Sequence, residues 1–294
     1  VHHQNERKGV TKAWGEIAGL IGHWDFSDAS ANNMYTTSGG ATNVSSDGEN
    51  IGRIENGVDS YSKLGETLNF VGGYPVYNTG GANGKSYGNF DDDGLRCNQL
   101  AGNVATSVTS YSDLAYNGTT FFFVIDPSDA TYSSDMMLFG LYGSAGDSGN
   151  NNYFGFGIEA DDDEMRVWVY DGSGGMHSHD TGIDNTTGAQ LWTMAYRETG
   201  SDATVGVLYK NGASGSAYTI DMSAGLGHAY TRGQEIKLFD GAFGLGHDIN
   251  ATGNISGKNH WKGKIYEMLI YNKELTPADN TLIEAYLTTK YGIS

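Results

Sequence analysis

The chain has 294 residues, and its 35 Asp and Glu against 17 Lys and Arg leave a formal charge of −18. Such a field repels phosphate backbones and anionic headgroups, which argues against nucleic-acid or membrane-surface partners, and no apolar run reaches membrane-spanning length. Its 44 Gly favour short strands and many turns, while 19 Tyr, 11 Phe and 5 Trp supply ample apolar area for a core.

Residues 1–18 begin polar and locally basic (VHHQNERKGVTKA) and read as an arm or linker, with Val1 as a trimmed or processed start. The domain proper is expected over 19–294, opening on the apolar cluster around Leu20, Ile21, Trp24 and Phe26. From about Ala29 to Gly94 the chain is rich in Gly, Ser, Asn and Thr, which predicts loops with short edge strands. Residues 119–125 (TTFFFVI) are apolar at every position, as in a strand covered on both faces, and Asp126-Pro127 should close it.

Strands follow at 136–142, then as a hairpin of YFGFGIE and MRVWVYDG with its tip at Ala160-Asp161-Asp162-Asp163, and at 191–197 and 204–210. Asn211-Gly212 has the composition of a two-residue hairpin turn. Residues 264–271 (KIYEMLIY) again read as apolar on both faces. One helix is predicted at about 277–290: Thr276 at the N-cap, Pro277 at the first position, Asp279 favouring the dipole and Gly292 as the stop. Leu282, Ile283, Tyr286 and Leu287 recur at helical spacing, so the helix should lie as a lid on the sheet.

This order predicts an all-β fold, a single two-sheet antiparallel sandwich with a short C-terminal helix. The opening GLIGHWDFSDAS, the pair LWTMAYRETGSDATVGVLYKNG and the closing WKGKIYEMLIYNKELTPADNTLIEAYLTTKYGI resemble LamG-like domains of the concanavalin A-like lectin and glucanase superfamily, bacterial or phage type. The resemblance implies a jelly roll of two curved sheets of six or seven strands. It leaves function open, since the superfamily holds lectins, adhesion modules, enzymes and virion parts.

Three candidate sites stand out. Strand 165–170 alternates, with Met165, Val167 and Val169 on one face and Arg166, Trp168 and Tyr170 on the other. Two aromatic rings beside a guanidinium make a glycan platform, or else a face covered by loops or a neighbour. The acidic runs Asp91, Asp92, Asp93 and Asp161, Asp162, Asp163 carry oxygen donors suited to Ca²⁺, the one cofactor the sequence suggests, although both also read as plain turns. Glu159 to Glu164 matches the Glu-x-Asp-x-x-Glu pattern of retaining β-glucanases, whose carboxylates must lie about 5–5.5 Å apart on an apolar-flanked strand. A solvated hairpin tip explains the run better, so no catalytic residue is expected.

His177 and His179 could share a strand face as zinc ligands do, but the glycines before them read as loop. The lone Cys97 excludes an internal disulfide and suits a bacterial or viral extracellular protein. The expected function is a non-catalytic recognition or structural module at a cell surface or in a virion, such as a phage decoration or appendage. Its partner would be a glycan, a surface protein or other virion subunits. An endo-acting glycoside hydrolase is the alternative, and a ligand-free architectural protein the third reading.

Overall fold

The structure is a computed structural model. It describes residues 16–29, 33–58, 73–91, 93–97, 119–127, 136–142, 153–158, 164–170, 176–184, 188–199, 202–211, 243–245, 261–271 and 273–294. The described elements are fifteen strands, a 3₁₀ turn at Ala82–Gly84 and a helix, α1 (Pro277–Tyr291).

The first sheet has seven strands. Its main path runs β13 (Asp202–Lys210), β12 (Gln190–Thr199), β7 (Thr119–Pro127), β15 (Lys262–Tyr271), β5 (Tyr87–Asp91), β4 (Val76–Asn78). The seventh strand, β1 (Leu20–Asp25), lies beside β15. Thus β15 pairs with β7 along one side and with β5, then β1, along the other. The second sheet has six strands in the order β11 (Met176–Asp184), β10 (Glu164–Tyr170), β9 (Tyr153–Ile158), β8 (Met136–Tyr142), β14 (Phe243–Leu245), β6 (Leu95–Cys97). A small ribbon pairs β2 (Met34–Tyr35) with β3 (Arg53–Ile54). Every ladder among the described residues is antiparallel, in keeping with the sandwich reading.

The two large sheets bury one apolar interior between them. Phe121 and Phe123 of β7 meet Phe139 of β8 at 5.4 and 5.6 Å between ring centroids. Phe156 of β9 stacks on Phe123 at 5.7 Å and stands edge-on to Trp192 at 5.9 Å. Trp24, Ile265, Met268 and Ile270 fill the same layer. Gly22 is required beside Trp24, because a Cβ there would lie 2.4 Å from the indole ring.

The other face of the seven-stranded sheet is covered by α1. Phe122, Val124, Leu191, Leu269 and Tyr271 pack against Ile283, Tyr286, Leu287 and Tyr291. This explains why β7 and β15 are apolar without alternation: each strand has a core on both sides. The helix begins as its sequence dictates. The Asp279 N–H donates to the Thr276 hydroxyl at 3.2 Å, Pro277 occupies the first turn, and Gly292 closes the helix at φ 65°. Leu282 departs from the expected apolar face and is 49% exposed, since the sheet meets only the Ile283–Tyr286–Leu287 stripe.

One further point differs from the sequence reading. Residues 176–184 form strand β11 rather than loop, because pairing with β10 supplies the ladder that local sequence does not announce. Asn211 takes the positive φ expected of a turn, 56°, but its side-chain oxygen accepts from the Leu191 N–H, so it fastens the end of β13 to the start of β12. Gly212 lies outside the described residues.

Candidate functional site

Strand β10 carries the glycan candidate. Met165 and Val167 are buried in the interior, and that fixes the phase of the strand. Arg166 between them is partly exposed. The backbone register places Arg166 opposite Gly157 of β9 and Asp180 of β11, and Trp168 opposite Gly155 and Ser178. Tyr170 lies opposite Met176. Arg166 therefore does not share the interior face of Met165 and Val167. The side chains of Trp168 and Tyr170 fall outside the described residues.

The acidic runs are only partly described. Asp91 ends β5 with its carboxylate exposed, 3.9 Å from the Lys262 ammonium. Its N–H donates to Asp93 Oδ2 at 3.3 Å, a turn contact that ties this run to itself. Asp92, Asp161, Asp162 and Asp163 lie outside the described residues, as does Glu159.

The hairpin bears directly on the glucanase pattern. Ile158 of β9 pairs with Met165 of β10 in antiparallel register, and Glu164 begins β10 opposite Asp184. Of the Glu159–Glu164 run only Glu164 is described, at the start of β10, the strand that follows β9 and its end at Ile158.

The densest charged constellation among the described residues was not singled out in the sequence. It lies on the helix side of the seven-stranded sheet. A register shift between Ile265 and Glu267 breaks the alternation of β15. Ile265 and Met268 face the interior, whereas Tyr266 and Glu267 both belong to the helix side. A bulge re-aims a side chain in this way.

Glu267 is wholly buried, and its two oxygens are fully engaged. Oε1 meets His23 Nε2 at 2.8 Å, while Oε2 accepts from Lys290 Nζ at 2.6 Å and from the Tyr291 hydroxyl at 2.7 Å. Lys290 also donates to Asp25 Oδ2 at 2.7 Å, and Asp25 stands directly opposite Glu267 in the β1–β15 ladder. Burial alone would push the Glu267 carboxyl up. The Lys290 charge and the His23 contact overcome that and hold it at about 2.

His23, Asp25 and Glu267 could by spacing hold a metal ion. The donor set argues otherwise, because the Lys290 ammonium already sits against both carboxylates where a cation would bind. Sequence alone offered one signal for this cluster: a Glu in a strand otherwise apolar on both faces needs a buried partner.

No family model matches the chain, and no curated protein matches it. Among solved structures, the NanB sialidase of Streptococcus pneumoniae is similar at 20% identity and a TM-score of 0.41, over 66% of this chain and 26% of the sialidase. The CBM40 domain of the Ruminococcus gnavus IT-sialidase, solved with α2,3-sialyllactose, is similar at 12% identity and TM-score 0.42, over 65% of this chain and 92% of that one. The binding domain of botulinum neurotoxin DC is similar at 11% identity and TM-score 0.42, over 77% of this chain and 45% of that domain. The chain thus spans about a quarter of the sialidase it matches.

Proposed function

We propose that the chain is a non-catalytic glycan-recognition module of LamG-like jelly-roll type, displayed outside the cell on a bacterial surface or a virion. The observation that carries the reading is the phase of β10. With Met165 and Val167 in the interior, continued alternation along the strand would carry Arg166, Trp168 and Tyr170 to the opposite face. An aromatic row beside a guanidinium suits a sugar, which offers an apolar ring face and hydroxyl acceptors together. The glycines opposite Arg166 and Trp168 add no side-chain bulk to that row. The acidic surface keeps such a module soluble and turns phosphate polymers away.

A glycan array followed by calorimetry on the best hits tests this. Trp168→Ala should weaken binding at least about tenfold, a loss of about 1.4 kcal/mol. Arg166→Ala should weaken it as well, and Glu164→Gln should leave it unchanged. An array blank for every glycan overturns the reading in favour of an architectural protein. Release of reducing sugar from β-glucans, lost in Glu164→Gln, would overturn it in favour of a hydrolase.

A further inference from the structure

One place outside the sheet face brings a nucleophile, a carboxyl group and a proton carrier together away from water. Lys290 Nζ lies 2.7 Å from Asp25 Oδ2 and 2.6 Å from Glu267 Oε2, and the three side chains are 9%, 13% and 0% exposed. The rings of Tyr286 and Tyr291 flank the ammonium at 5.8 and 5.1 Å. We propose that Lys290 and Asp25 condense into an intramolecular isopeptide bond, with Glu267 carrying the protons. The bond would tie the first strand of the domain to its last helix.

A lysine becomes a nucleophile only as the free amine, and desolvation is what makes that form reachable. Burial pushes the Lys290 ammonium toward the amine and the Glu267 carboxylate toward the acid. Their mutual attraction, with Asp25, holds the resting state ionised. One proton moving along the 2.6 Å hydrogen bond removes both charges at once, so the attraction no longer opposes the change. The reaction is then a slow, single event in the life of each molecule.

The step balances without any co-reactant. Glu267 takes a proton from Nζ and passes it to Asp25 Oδ2, and the freed lone pair of Nζ bonds to Asp25 Cγ. Negative charge gathers on Oδ1, where the Ser27 N–H already donates at 2.8 Å together with the Ser27 hydroxyl. A second Nζ proton follows the same route, the Cγ–Oδ2 bond breaks, and Oδ2 leaves as water. An ammonium and a carboxylate have become an amide and one water, and Glu267 returns to its carboxylate.

The geometry selects Asp25 over Glu267 as the acceptor. Asp25 has the donors on Oδ1 and enough exposure to let water escape. Both oxygens of Glu267 are pinned, Oε1 by His23 and Oε2 by Lys290 and Tyr291, so His23 and Tyr291 act as positioning residues. The cross-link would span 265 positions of the chain. It would give a surface module with a single cysteine a covalent closure that no reductant can open. It does not depend on what the sheet face binds.

Intact mass spectrometry of the folded full chain, denatured just before measurement, decides the matter. The expected mass is one water below that of the sequence, and a protease digest should yield a branched peptide joining the segments that hold Asp25 and Lys290. Lys290→Arg and Asp25→Ala should have their full sequence masses. Asp25→Asn should instead lose one ammonia, since the leaving group changes. Glu267→Gln should stay unlinked; if that variant does not fold, the wild-type mass and the Asp25→Asn mass still give the answer. Folded wild-type protein at its full sequence mass overturns the proposal, as does a water loss that maps to a linear peptide.

Discussion

The two faces of the seven-stranded sheet are buried by different means. The interior face meets the second sheet through Phe121, Phe123, Trp192, Met194 and Met268, with ring packed on ring. The helix face is also dry, but it is rich in tyrosine and crossed by polar anchors. The Thr120 hydroxyl donates to the Lys273 carbonyl and accepts from the Leu275 N–H. The Thr193 hydroxyl donates to Glu284, and Glu267 holds Lys290 and Tyr291. Close packing sets the interior by volume, which many apolar combinations can satisfy. A helix laid across a sheet has more ways to slide, and the anchors select one of them.

The sharpest way to break this contrast is to remove one partner on each face. Lys290→Met leaves Glu267 buried with only His23 and Tyr291, and breaking a buried pair from one side costs about 3–5 kcal/mol. The double variant Glu267→Leu/Lys290→Met should cost less than Lys290→Met alone, because no uncompensated charge remains. Phe123→Ala should also cost about 3–5 kcal/mol, through lost burial and the cavity left beside Phe139 and Phe156. No second substitution at Phe139 should recover that loss. Urea unfolding of the four proteins checks both halves of the contrast.

Acid sharpens it further, because among the described residues the helix face carries a buried and a half-buried carboxyl that titrate in opposite senses. With Lys290 present as its ammonium, Glu267 is held at about 2, below its ordinary value of 4.5. Its contribution is therefore complete above about 4.5 and is lost as the pH falls toward 2. Burial pushes the Glu284 carboxyl up, against the Thr193 hydrogen bond. Its stabilising form is the neutral one, complete below about 4.5 and lost as the pH rises through its folded value. Urea midpoints between pH 2 and 7 should lose their acid limb in Glu267→Gln and their decline above pH 4.5 in Glu284→Gln. Profiles parallel to wild type in both variants would remove these two groups from the acid response.

Smaller effects are expected at the single anchors. Thr193→Val removes one hydrogen bond to a half-buried carboxylate and should cost about 1 kcal/mol in the same assay. The smallest expected effect is that of calcium on the acidic turns. If Asp91–Asp93 and Asp161–Asp163 take up Ca²⁺, the melting temperature should be higher in Ca²⁺ than in chelator at equal ionic strength. Identical curves would leave those runs as solvated turns, the state already suggested for Asp91 and Asp93 by their contacts with Lys262 and with each other.

What the sequence determined by itself was whatever local pattern can encode. The unbroken apolar runs of β7 and β15 required two cores, Thr276, Pro277 and Gly292 set the limits of the helix, and the Met165–Val167 alternation set the phase of β10. What only the tertiary structure decided depends on hydrogen bonds between distant strands. The shift at Ile265/Glu267 arises from pairing with β7, and no pattern within KIYEMLIY shows that Glu267 will leave the interior for the helix side. Strand β11 exists because β10 offers it a ladder. The meeting of Asp25, Glu267 and Lys290, from the first strand, the last strand and the final helix, follows from that same pairing, since a carboxylate turned toward α1 can be buried only where a cation reaches it.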